Sequence, residues 1–339
     1  MNIQQIFDLA IKTGIKNDPR GEKEIKEVLK KNREDFKELP KKIQAEYDKE
    51  RFINPYSDTR FLFGDKNKKV KRVLVGVDIG TEEVLLAREL EKQGKKTCPE
   101  PQRGPVGANR GIDLIIAHHP AGKALADLHE VMDLQTSVLS RAGVPENIAE
   151  GIVKEQLENV SRRLAPVNHY KAVDAAKLLN IAMINIHTPA DNCVWKFVDE
   201  FLAKKKPKRV GEVIDVLKEI PEYKKAVELG AGPVVFCGDE KSRAGKIVVS
   251  GMTGGTSGKG SEKIYERMSH FGIGTEIAMH VGDEDREEAI KHYINIVIAG
   301  HIASDSLGLN IIMDKLEKAG IEIIPCSGYI RYSRVKARK

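Results

Sequence analysis

Cysteine is scarce and scattered in this sequence: Cys98, Cys193, Cys237 and Cys326 form no CxxC pair. A thiolate zinc site of ordinary spacing is thereby excluded, and nothing points to a disulfide framework. No uncharged apolar run reaches the length of a membrane-spanning helix, so a membrane is not an expected partner. The first residues, MNIQQIFDLAIKTGIKNDPR, lack the apolar core and small-residue cleavage site of a secretory signal, and the cytoplasm is the expected compartment. Tryptophan occurs once, and the basic runs 68–72, 204–209 and 331–339 hold a single aromatic, Tyr332, which is not the repeated interleaving on which bases would stack. Nucleic acid is therefore not an expected partner. What remains is an ordinary globular composition, 41% hydrophobic and 31% charged with a net charge of +6. At 339 residues it is too long for one small core.

Patterning along the chain suggests an α/β protein. Residues 1–66 read as charged, weakly amphipathic helices, an N-terminal helical extension ending in turn-rich sequence. A first α/β subdomain is expected over 67–204. VKRVLVGVDIG and IDLIIAHHP are buried-type strands separated by a helix, and IAMINIH is a third strand. Strand, helix, strand implies a right-handed parallel crossover. A second α/β subdomain is expected over 205–330, with strands near 233–239, 246–252, 274–281, 294–301 and 321–329, followed by a basic tail at 331–339. Helices are expected from about 191 and from about 304 after two of the strands.

Functional groups in parallel α/β sheets collect beyond the carboxyl ends of strands. Three strands here end alike, LIIA in His118-His119-Pro120, MINI in His187 to Asp191, and IVIA in Gly300 to Asp305. Four of the nine histidines stand at these ends, poor places for a satisfied core histidine. Neighbouring side chains on a strand point to opposite faces, so His118 and His119 cannot easily chelate one ion; at an end broken by Pro120 they can reach two. His301 and Asp305 are four apart, as are His187 and Asp191, which in a helical turn brings both to one face. Imidazole plus carboxylate suits zinc, iron or manganese better than magnesium or calcium. Asp191 is the stronger ligand candidate of its segment because a carboxylate can bridge two ions, leaving His187 as a support or as a catalytic proton carrier.

DLIIAHHP, INIHTPADN and AGHIASDSLG, in this order, resemble the Nif-three-like dinuclear metal centre family, often described as GTP cyclohydrolase type 2 homologues. VLVGVDIGTEEV resembles the strand and turn that precede the family's histidine pair, and the likeness spans about residues 70–330. The resemblance implies two Nif-three-like α/β subdomains with mixed or parallel sheets. It also implies ligation of two divalent metal ions per chain (zinc, iron or manganese) by His118, His119, Asp191, His301 and Asp305. The family's last ligand is usually glutamate, and the shorter Asp305 takes its place here. A homo-oligomer, commonly a hexamer, is implied as well.

A metal-dependent hydrolase acting on a small molecule, GTP cyclohydrolase-like or directed at a nucleotide or phosphoester, is the leading reading. The alternative is a non-catalytic metal-binding scaffold or regulator that works through protein partners. SGMTGGTSGKG lacks the Walker A spacing, but it leads a strand toward a helix. Gly254, Gly255, Gly258 and Lys259 are therefore candidates for holding a phosphate, against the plainer reading of a tight turn needing glycine dihedrals.

Overall fold

The computed structural model describes residues 1–96, 111–255 and 264–336. Its strands in chain order are β1 (Phe61–Phe63), β2 (Arg72–Gly76), β3 (Leu114–Ala117), β4 (Met183–Asn185), β5 (Val234–Cys237), β6 (Lys246–Gly251), β7 (Ile273–Ala278), β8 (Asn295–Ile298) and β9 (Glu322–Cys326). Helices of the first half are α1 (Ile3–Asn17), α2 (Glu22–Glu38), α3 (Lys41–Glu46), α4 (Thr81–Lys96), α5 (Lys123–Ala126), α6 (Leu134–Arg141), α7 (Glu146–Leu164) and α8 (Lys171–Leu178). Those that follow are α9 (Thr188–Lys205), α10 (Val210–Lys218), α11 (Pro221–Glu228), α12 (Ile264–His270), α13 (Asp283–Lys291) and α14 (His301–Lys318).

Two mixed sheets result. One runs β1-β4-β3-β2-β9, the other β5-β8-β7-β6, and in each only the β1 or β5 edge strand is antiparallel to its neighbour. The continuous apolar runs RVLVG and LIIA are almost wholly buried, as strands covered on both faces require. The helix α4 follows β2 after a short turn, as a strand-helix-strand crossover requires.

The structure departs from the sequence reading at three places. Strand β9, expected to close the second half, instead pairs with β2 from Arg72↔Glu322 to Gly76↔Cys326. A parallel neighbour needs a long crossover, and α14 supplies it by carrying the chain back to the first sheet. Residues 1–66 contribute β1 to that sheet's edge and α1 to its core. Ile3, Ile6, Phe7, Ala10 and Ile11 recur at helical spacing and are buried, and Asn2 and Gln5 close a capping box. Finally, α9 and α14 begin three residues earlier than expected. Proline in the first turn of α9 and the positive φ of Gly300 before α14 set those starts.

Helices α9 and α14 pack closely. A Cβ on Gly308 of α14 would lie 2.3 Å from the Ala190 carbonyl oxygen of α9, so only glycine permits this approach. Their amino-terminal turns consequently meet beside the carboxyl end of β3.

Candidate metal centre

His118 and His119 follow β3 directly, their amides bonded to the carbonyls of Gly76 and Val77. His187 precedes α9, Asp191 lies in that helix's first turn, and His301 and Asp305 open α14. All five residues nominated as ligands, and His187, therefore converge on one cluster.

Its geometry divides around Asp305. One oxygen, Oδ1, is 3.3 Å from His118 Nε2, while Oδ2 is 3.5 Å from His119 Nε2 and 3.6 Å from His301 Nε2. Asp191 spans likewise, with Oδ1 3.4 Å from His118 Nε2 and Oδ2 3.7 Å from His187 Nε2. His118 Nε2, Asp191 Oδ1 and both Asp305 oxygens are buried without a hydrogen-bond partner. Four orphaned polar atoms in one place are costly unless something else satisfies them. Ligands about 2.1 Å from a tetrahedral ion lie roughly 3.4 Å apart, close to the separations seen here. The donors fit a metal; His119, His301 and Asp305 form one group that can hold an ion, and His118, Asp191 and Asp305 another.

Three of these histidines are fixed from behind. His118 Nδ1 donates to the Ile186 carbonyl at 3.0 Å, His119 Nδ1 to Asp78 at 2.7 Å, and His187 Nδ1 to Asp58 at 2.6 Å. This arrangement sets the tautomer and turns Nε2 toward the centre. Asp58 is fully buried and also accepts from the Thr188 hydroxyl. Burial opposes its charge, but His187 and Thr188 together hold its carboxyl below the usual range.

The carboxylates demand positive charge. Burial disfavours charged imidazoles, yet Asp305 and Asp191 push His118 well above its ordinary value, and Asp305 and Asp78 push His119 up to about 9. Burial alone would raise Asp305, but His118 and His119 hold it far below the usual carboxylate range. His301 is lowered, chiefly by burial, and His280 is pushed down to about 4 by burial and the neighbouring His301. Protons or metal ions can satisfy this demand.

Sequence reasoning missed Asp58, Asp78 and His280. Asp78 stands at the end of β2, a position that could have singled it out, but Asp58 lies in a turn far from His187 in sequence. His280 lies beside His301 with ring centroids 4.8 Å apart and the rings tilted by 56°. His169 bonds the Leu164 carbonyl, away from this cluster's contacts. Gly254 and Gly255 adopt positive φ, as a tight turn requires, and Gly255 borders a cleft of about 430 Å³ shared with His119, His187, His280 and His301. Gly258 and Lys259 lie outside the described residues.

Fold and cluster together define an α/β protein with histidine and aspartate groups suited to metal binding at the strand ends. Among solved structures, the NIF3 superfamily protein from Sphaerobacter thermophilus matches with a TM-score of 0.65 and 28% identity, covering 80% of this chain and 91% of its own. In both fold and sequence the chain is similar to NIF3 superfamily proteins. Reduced HcgD from Methanocaldococcus jannaschii matches at a TM-score of 0.46 and 15% identity over 78% of this chain and 87% of its own. A Bacillus cereus protein related to NIF3 matches at 0.43 and 12% over 82% and 93%. No protein-family model and no curated protein matches the chain. Among the described residues no helix is long and apolar enough to cross a membrane.

Proposed function

We propose that the chain is a metal-dependent hydrolase of small molecules, with two divalent ions (zinc, iron or manganese) held by His118, His119, Asp191, His301 and Asp305. The observation that carries this reading is the position of Asp305. Its two oxygens face different histidines, so the shorter aspartate still reaches both halves of the cluster. Two bound ions would supply Lewis-acid charge to polarise a phosphoryl, carbonyl or amidine-type group and to activate water.

The chain's own residues supply the rest. With Nδ1 engaged by Asp58, His187 presents Nε2 to the cleft, where it can accept or return a proton. Leu125, Leu128 and Pro120 border the same space and restrict water around the reacting group. The turn at Gly254 and Gly255 reaches this cleft, which supports a phosphate-holding role for the glycine run that includes Gly258 and Lys259. A nucleotide or phosphoester substrate, GTP among them, and a hexameric assembly follow from the family resemblance.

The test is elemental analysis after reconstitution with zinc, iron or manganese, joined to a turnover screen of GTP, phosphoesters and cyclic amides. About two ions per chain are expected, with loss of both metal and turnover in the His118→Ala/His119→Ala variant. GTP turnover that persists in that variant removes the cluster from the reaction. A fully loaded chain that turns over nothing leaves a metal-binding scaffold or regulator in place of the hydrolase.

A further inference from the structure

We infer that the cleft over the histidines selects an anion with an apolar or aromatic body, and that Arg163 receives the anionic group. This deepens the proposed function and rests on its metal centre. At about 430 Å³ the cleft has the size of a small-molecule site. Beyond the histidines it is bordered chiefly by Leu125, Leu128, Val160 and Leu164, with Arg163 as the one formally charged non-histidine side chain among its described lining residues.

Arg163 is available for a ligand. It is exposed in the last turn of α7, and no acidic side chain among the described residues pairs with it. Its neighbour Arg162 is engaged on its own helix, bonded to Asn159 and 3.7 Å from Glu158. Among the described lining residues no carboxylate repels an anion or competes for the guanidinium, whose planar fork matches phosphate or phosphonate oxygens. The leucine and valine side chains offer no hydrogen bond to a sugar's hydroxyls, whereas they suit a hydrocarbon or an aromatic ring. Within the phosphoesters, the cleft therefore fits aryl or alkyl phosphate esters better than polyhydroxylated ones.

The experiment uses the metal-reconstituted full chain and two probes that resist hydrolysis, phenylphosphonate and methylphosphonate, with binding followed by calorimetry. Wild type should bind phenylphosphonate about tenfold or more tightly than methylphosphonate, since only the former buries a ring. Arg163→Ala should weaken both by about tenfold, and Arg163→Lys should restore part of the loss. Leu128→Ala should weaken phenylphosphonate while leaving methylphosphonate unchanged. Elemental analysis of the same samples separates the two levels of the argument. A wild-type chain that takes up no metal overturns the metal centre and this inference with it. A loaded Arg163→Ala variant that binds both probes as wild type does, or equal affinity of wild type for the two probes, overturns this inference alone.

Discussion

Replacing Gly308 by alanine sets two effects of opposite sign against each other. In an exposed helix interior the change would stabilise by about 1 kcal/mol, because alanine loses less backbone entropy. Here the new Cβ would lie 2.3 Å from the Ala190 oxygen and 2.8 Å from its carbonyl carbon. Both are backbone atoms, so relief requires α9 and α14 to separate by about 1 Å, a strain of the overpacking kind that costs about 1–3 kcal/mol. The close backbone contact places this site toward the upper end, and the net expectation is a destabilisation of about 1–2 kcal/mol. The same separation moves Asp191 away from His301 and Asp305. Metal ligands tolerate only about 0.2 Å, so metal affinity should fall by about tenfold or more. Denaturant unfolding of the metal-free chain reads the first effect, and competition with a coloured chelator reads the second. A Gly308→Ala chain at least as stable as wild type, with unchanged metal affinity, would refute the claim that this contact sets the distance between the two helices.

Two further predictions concern buried charge away from the centre. Glu276 of β7 is buried, and burial raises its carboxyl above the usual range although Ser250 and Tyr265 bond to it. A raised folded value means that the stability it permits is full at low pH and is lost as pH rises through that value. Glu276→Gln should therefore gain stability relative to wild type as pH increases, measured by denaturant unfolding from acid to neutral pH; a constant difference would contradict this. The basic tail should matter for stability. Arg334 donates to both oxygens of fully buried Glu222 at 2.7 Å, and Arg331 pairs with Asp314 at 2.7 Å. Arg334→Met should cost about 3 kcal/mol by stranding the Glu222 charge, while Arg334→Met/Glu222→Met should recover most of it. Equal stability of the single variant and wild type would show the tail to be idle.

Local sequence carried much of this protein. The β-branched runs marked strands because sheets covered on both faces need continuous apolar surface. The ligand candidates were legible for an equally local reason. His118 and His119 follow a strand and precede proline, and His301 and Asp305 share one helical face by their spacing. The pairing of the basic tail was not legible, because its partners Glu222 and Asp314 lie in other helices and leave no mark on its composition.

What tertiary structure alone decided was how these pieces meet. Strand β9 could pair in either half on its own composition, and its place beside β2 depends on the path of α14. Asp58 reaches His187 only because the turn before β1 is laid against the end of β4, and nothing periodic in either segment announces it. The division of Asp305 between His118 and the pair His119 and His301 depends on α14 being laid against the end of β3, while the close approach of α9 and α14 at Gly308 brings Asp191 to the same centre. Residue type and short spacing can name atoms able to bind a metal. Whether they come within a few ångströms of one another is set by surfaces far apart in the chain, and only the packed fold contains that distance.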